Sequence, residues 1–163
     1  GRLFDAAASL SGVRQRVNYE AQAAIEFEAV ADPAENGAYR LPIHDGTIKL
    51  DEAVASLVND VLGGEGVDVI SARFHNGVAQ MVTDAASRLR GQSGSDKVIL
   101  SGGVWQNITL LRRTLSLLSA AGFRVYFHKE VPTNDGGLAL GQAAIAASRL
   151  RVDYVPGSPG TDH

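Results

Sequence analysis

Two glycine pairs carry the residues of this chain whose types and spacing could do chemistry. In "VILSGGVWQN", residues 98–107, Gly102 and Gly103 separate an apolar run from a helix-like pattern. Adjacent glycines at such a junction let backbone N–H groups converge on an anion, because no side chain blocks the approach. Phosphates recur at this place, beyond the carboxyl end of a strand and near a helix start. A plain tight turn uses the same residues, so the motif alone leaves both readings open. Asn107 reads either as the cap of the following helix or as a ligand contact. In "PTNDGGLALGQA", Asp135 precedes Gly136 and Gly137. A carboxylate there caps a helix, favoured by about 0.3–1 kcal/mol through the dipole, or else ligates a hard or borderline cation. Neither stretch is a Walker A or GxGxxG motif. If the two preceding runs are parallel strands of one sheet, both loops fall on one edge. A glycine cradle and a carboxylate would then face one crevice, which suits a nucleotide with its associated metal.

The elements that must position these loops follow from apolar periodicity. Leu3–Leu10 reads as a helix closed by Gly12, and Glu20–Val30 as a second, rich in Ala and Glu. Asp45-Gly46 between two β-prone runs signals a type I′ hairpin. Asp51 opens and caps a helix that Gly63 and Gly64 stop. Ile70, Phe74, Val78, Met81, Ala85 and Leu89 recur at steps of three and four, one apolar face of a helix over Val67–Arg90. "KVILS" and "FRVYFH" are short enough to be strands. Between them, Ile108, Leu111, Leu115 and Leu118 give a helix that Gly122 ends. Leu138–Leu150 is a small-residue helix able to pack closely on a neighbour. The predicted order is αα, ββ, αα, then βαβα, with a right-handed crossover if the last two strands share a sheet.

Composition bounds the function. The chain has 163 residues, 45% hydrophobic and 20% charged, with a net charge of −3. That is a globular domain or half of a two-lobed one. It argues against a general nucleic-acid binder, which shows a basic excess. No apolar stretch is long enough to span a bilayer, and no signal-peptide pattern opens the chain. A cytoplasmic setting is expected. There is no cysteine, which excludes disulfides, thiolate catalysis and cysteine-held metal in this chain. The start without Met suggests a piece of a longer protein, and residues 151–163, rich in Pro and Gly, read as a flexible tail after a domain over 1–150. His44, His75 and His128 are scattered and do not make a metal spacing. His75 reads as a helix-packing residue beside Phe74, His44 as exposed beside the hairpin turn, and His128 as the end of a strand.

Five blocks in order, "GRLFDAAASLSGV", "NYEAQAAIEFE", "ARFHNGVA", "LSGGVWQNITLL" and "VPTNDGGLALGQA", resemble the C-terminal, Kae1-like region of HypF-type hydrogenase-maturation carbamoyltransferases. The resemblance runs from about Gly1 to Arg149. That region is similar to the Kae1/TsaD proteins that make threonylcarbamoyladenosine in tRNA, and to antibiotic and nodulation O-carbamoyltransferases. It implies an α/β fold, the second lobe of an actin/Hsp70/sugar-kinase-like domain, with a small mixed sheet and flanking helices. It also implies ATP in an interlobe cleft, with Gly102, Gly103 and Asn107 near the phosphates or adenosine and Asp5 near the nucleotide. "NYEAQA" stands where Kae1/TsaD proteins carry a "YPGGP"-like stretch, which makes Glu20 a candidate for a ribose hydroxyl. Asp135 matches a metal-ligating Asp, although Kae1/TsaD proteins read "TDN" where this chain reads "TND".

The resemblance implies a parent reaction in which carbamoyl phosphate and ATP give a carbamoyl-adenylate. The carbamoyl group then passes to a C-terminal cysteine of the acceptor HypE. The family's metal-binding histidines lie in the first lobe, upstream, so a divalent metal belongs to the full domain. This chain alone is expected to bind metal weakly or not at all and to be inactive. Three rivals stand beside this reading: a lobe acting on tRNA or on a sugar hydroxyl, a docking module for HypE or for upstream domains, and a generic sugar kinase, for which no separate sugar-binding signature is present. Exposed leucines on the 108–118 helix would favour docking, and self-association of an isolated lobe is expected if it bares an apolar face.

Overall fold

The computed structural model describes residues 2–153. Its elements follow the predicted order: α1 (Arg2–Leu10), α2 (Gln22–Ala29), the hairpin β1 (Ile43–His44) and β2 (Thr47–Ile48), α3 (Asp51–Gly63), α4 (Val67–Ser93), β3 (Lys97–Leu100), α5 (Ile108–Ala120), β4 (Arg124–Phe127) and α6 (Leu138–Asp153). Short 3-10 turns at Gly103–Gln106 and Asp135–Gly137 precede α5 and α6. Helix α6 therefore continues three residues into the stretch read as a tail; residues 154–163 lie outside the described residues.

Helix α4 is the spine. Ile70, Phe74, Val78 and Ala79 are buried, and α1, α2, α3 and α5 all pack against it. Phe4 and Phe27 close on Phe74 edge to face, with centroids 5.1 and 5.8 Å away. Such pairs add about 0.5–1.5 kcal/mol each beyond the area they bury. The apolar stripe is buried only in its first half. Met81 and Ala85 are half-buried and Leu89 is 60% exposed, because the end of α4 borders an open apolar groove beside β3.

The strands fall into two small sheets. Hairpin β1–β2 turns at Asp45 and Gly46, both at positive φ, as a type I′ turn requires. Strands β3 and β4 pair in parallel, Lys97 beside Arg124 through Leu100 beside Phe127, with α5 as the connection. Both glycine loops therefore leave the same edge of this pair. Asp51 does not cap α3: it is the first helical residue, and Leu50 at the cap offers no side-chain acceptor. The leucines of α5 point inward, with Leu110 and Leu118 buried and Leu111 and Leu115 half-buried. On α5 the exposed large apolar residue is Ile108 at its start, while α6 exposes three, Leu138, Leu140 and Ile145.

Candidate functional site: a cleft at the carboxyl ends of β3 and β4

A cleft of about 900 Å³ opens where the two loops leave the parallel strands. Glu20, Ala21, Ala24, Ile25 and Glu28 form one wall, Gly103, Val104, Gln106 and Asn107 another, and Asn134 and Asp135 a third. Phe4 also lines it. Four of the six expected site residues, Glu20, Gly103, Asn107 and Asp135, thus face one space. Gly102 and Asp5 do not line it.

Gly102 has a different task. Its N–H donates to the Thr133 carbonyl at 3.0 Å, and the Thr133 hydroxyl donates back to the Gly102 carbonyl. This reciprocal pair stitches the two loops together and commits the amide that an anion would otherwise use. Gly102 sits at φ 103°, ψ 158°, a conformation open essentially to glycine alone. At Gly103, by contrast, a Cβ would meet only the Asn134 Cβ, at an ordinary 3.8 Å. Position 103 borders the cleft, and packing does not require glycine there. The two adjacent glycines therefore differ: conformation requires the first, and the second borders open space.

The start of α5 is already occupied by the protein. Asn107 Oδ1 accepts from the Leu110 N–H at 2.7 Å, and Glu28 Oε1 accepts from the Thr109 N–H at 2.9 Å. The carboxylate of Glu28 fills the anion place that the helix terminus offers. Asn107 is thus the cap that one reading gave it. Its Nδ2 lies 2.9 Å from His75 Nε2, so its other end is engaged too. Of the N-cap and ligand readings of Asp135, the cap goes to its neighbour: Asn134 accepts from the Gly136 N–H at 3.0 Å. Asp135 is left as an exposed carboxylate on the cleft wall. Asp5 is half-buried, with Oδ1 buried and unpartnered among the described residues.

The wall carrying Glu20 is rigidly built. Arg14 pairs with Glu26 in a two-pronged bridge at 2.6 and 2.7 Å, and Gln22 joins Glu26 to the Asn18 N–H. Ala21, at φ 63°, holds an unfavourable left-handed turn between Glu20 and α2. Glu28 was not singled out in the sequence. The signal for it was partial: Glu28 follows Ala24 by four residues on one face of α2, and both line the cleft, while Glu20 lies before the helix.

The lining residues bear three carboxylates, Glu20, Glu28 and Asp135, and no Lys or Arg. An apolar floor with carboxylate acceptors suits the base and ribose of a nucleoside. A polyphosphate needs positive charge from elsewhere. A complete metal centre does not fit the described residues: no group of three or more His, Cys, Asp or Glu among them comes together, and hard cations take several oxygens. His44 is exposed, and His128 lies 3.3 Å from the Ser101 hydroxyl.

Residues 1–142 match the family model described as carbamoyltransferase, Kae1-like domain, second subdomain. The carbamoyltransferase HypF of Synechocystis sp. is 34% identical over 145 residues, covering 87% of this chain and 18% of that protein. The HypF of Rhizobium leguminosarum bv. viciae is 36% identical over 148 residues, 90% of this chain and 19% of its own length. The crystal structure of a full-length HypF in the phosphate- and nucleotide-bound form superposes with a TM-score of 0.84 at 42% identity, covering 97% of this chain and 21% of that one. The T. kodakarensis HypF structure gives 0.80 at 27% identity, over 92% and 20%. The chain thus spans about a fifth of the length of these relatives. With its element order, its two glycine loops on one sheet edge and these matches, the chain belongs to the HypF carbamoyltransferase family, as the second subdomain of the Kae1-like domain.

Proposed function

We propose that this chain supplies the nucleotide-facing wall of a carbamoyltransferase that uses ATP and carbamoyl phosphate. The observation that carries the reading is the convergence of Glu20, Gly103, Asn107 and Asp135 on one cleft at the ends of two parallel strands. That a similar HypF is described as phosphate- and nucleotide-bound supports it. In the proposed reaction, water hydrolyses carbamoyl phosphate to carbamate and phosphate, and a carbamate oxygen then attacks the α-phosphorus of ATP, giving carbamoyl-adenylate as pyrophosphate leaves. The thiolate of a C-terminal cysteine on a HypE-type acceptor then attacks the carbamoyl carbon and AMP leaves. The acceptor brings the nucleophile, so a chain without cysteine suffices.

The residues take distinct parts. Glu20 accepts a hydrogen bond from a ribose hydroxyl. Gly103 lets phosphate approach the backbone. Asn107 and Glu28 hold the start of α5, and Gly102 ties the two loops. Asp135 faces the phosphate side as one carboxylate, which is no metal centre alone, and no step is assigned to a metal. Phosphate-stabilising charge comes from outside this chain. The isolated chain is therefore expected to be inactive, and carbamoyl-phosphate-dependent turnover of ATP by the purified chain would overturn that.

Titration of the chain with a non-hydrolysable ATP analogue and magnesium, followed by NMR, tests the wall. Shifts concentrated at Glu20, Gly103 and Asp135, weakened at least tenfold by Gly103→Val, are expected. Absence of shifts at several millimolar, on the scale of about −4 kcal/mol at 1 mM, sinks the reading for the isolated wall, and the same titration on the two-lobed domain then decides it for the parent. The docking reading finds its support on α6 rather than α5. Leu138, Leu140 and Ile145 are all more than half exposed there, available to the upstream part of the same polypeptide.

A further inference from the structure

His75 is fully buried on α4, at the meeting of three helices. Its ring packs between Phe4 of α1 and Phe27 of α2, with centroids 5.0 and 5.7 Å away. A packing histidine needs no more than this, yet both ring nitrogens are engaged. Nδ1 lies 2.7 Å from the Ser71 carbonyl, and Nε2 lies 2.9 Å from Asn107 Nδ2.

The direction of every bond in this chain is forced. The Leu110 N–H can only donate, so the oxygen of the Asn107 carboxamide must face it. The NH2 end must then face His75, and Nε2 must accept. The proton therefore sits on Nδ1, where the Ser71 carbonyl can only accept. A proton on Nε2 would set donor against donor. The carboxamide would rotate, and the cap on α5 would be lost. Burial pushes the His75 pKa down against the bond to the Ser71 carbonyl, which raises it; of the charged groups nearby, Glu28 of α2 raises it and Arg113 of α5 lowers it.

We propose that His75 is a positioning residue of the cleft: its Nδ1–H tautomer fixes the Asn107 carboxamide, and through it the wall running from Gly103 to the start of α5. Asn107 N–H also donates to the Val104 carbonyl at 3.2 Å, so one residue joins the turn, the helix and the buried ring. The consequence for the ligand rests on the nucleotide reading above; the orientation of the carboxamide does not.

Proton–nitrogen correlation spectra of the chain at neutral pH read which imidazole nitrogen is protonated. Protonation at Nδ1 alone is expected for His75, and an Nε2–H ring overturns the proposal. In Asn107→Asp, a carboxylate replaces the donor opposite Nε2, and His75 is expected to gain a proton there. An unchanged Nδ1–H signature in that variant also overturns it. His75→Leu, which keeps bulk but no acceptor, is expected to speed exchange of the Leu110 amide at least tenfold while the Leu118 amide stays protected. His75→Gln, which restores an acceptor, is expected to recover part of that protection. Equal Leu110 protection in wild type and His75→Leu removes the positioning role. If neither the wild-type chain nor the two-lobed domain binds an ATP analogue, the nucleotide reading fails, while the tautomer and exchange results still decide this one. If it does bind, His75→Leu is expected to weaken binding at least threefold, and unchanged binding would detach the relay from the site.

Discussion

Two irregular segments of the chain are treated in opposite ways. Residues 31–42 run from α2 to the hairpin, and residues 128–137 run from β4 to α6. The first is tied along its length. Asp32 and Tyr39 donate their N–H groups to the Asp68 and Arg73 carbonyls of α4 at 3.1 Å. Asn76 donates to the Glu35 and Gly37 carbonyls, and Arg113 reaches the Asp32 and Glu35 carbonyls. Tyr39 and Leu41 are buried. The second segment is held to the body chiefly by the reciprocal Gly102–Thr133 pair, and none of its residues is buried. A loop is fixed when neighbouring side chains answer its backbone groups. The segment bordering the cleft gets few such answers from the body, and Asn134 instead accepts from the Gly136 and Gly137 N–H groups within it.

Substituting one glycine on each side breaks this comparison most sharply. A Cβ on Gly77 would lie 2.3 Å from the Tyr39 carbonyl oxygen. That carbonyl cannot move away without straining the Tyr39–Arg73 backbone bond. Alanine is the better helix former by about 1 kcal/mol, yet Gly77→Ala is expected to cost about 2–3 kcal/mol, as overpacking does. Gly103→Ala meets nothing closer than 3.8 Å. Its denaturation midpoint is expected to stay within about 0.5 kcal/mol of wild type, with only the nucleotide titration affected. Equal stability losses in the two variants would show that the cleft loop is packed as firmly as the other.

A smaller effect comes from the polar end of the pinned segment. The Tyr39 hydroxyl donates to Asp60 at 2.7 Å, and Arg73 bridges Asp60 at 2.9 Å, with Glu65 and Glu35 at 3.3 and 3.5 Å. Burial, then the bond to Asp60, pushes the Tyr39 pKa up. The folded state thus keeps a proton that the unfolded state gives up, so this stabilisation is full below about pH 10 and is lost as pH rises toward the folded value. Asp60 is held low, first by the Tyr39 hydroxyl and then by Arg73. Its contribution is present above about pH 4 and is lost as pH falls through the folded value. Tyr39→Phe is expected to cost about 1–2 kcal/mol at neutral pH, to flatten the alkaline limb of the stability profile, and to move the acid limb to higher pH. Denaturant midpoints across pH read all three. An alkaline limb unchanged in Tyr39→Phe assigns it elsewhere.

The order of elements was legible because each has its own apolar period, and the shared edge of the two loops follows from a parallel pair of short strands. What the sequence hid are partners chosen across long separations. Glu28 answers the Thr109 amide from 81 residues away, and Asn107 finds His75 from 32 residues away. No local pattern encodes either. Gly77 reads as an indifferent small residue in a helix, and only the approach of Tyr39 gives it a reason. The periodicity at Leu89 was real, but a periodic face is buried only where something covers it. Gly102 and Gly103 looked alike in sequence, and the difference between them lies in where Thr133 falls.

The smallest expected effect tests how far the looseness of the second segment extends. Helix α6 follows the cleft loop, and the described side chains over 138–149 are all exposed, Leu140 by 57%. Of the other elements, it packs mainly against the 3-10 turn that precedes it. Leu140→Gln keeps helix propensity nearly unchanged and removes an apolar side chain that buries little here. The chain's stability is therefore expected to shift by no more than about 0.5 kcal/mol, read from denaturant midpoints. A loss above about 1 kcal/mol would mean that α6 packs against the body in solution. The loop over 128–137 would then be anchored at both ends, Asp135 would be held in place, and the contrast with residues 31–42 would become one of degree.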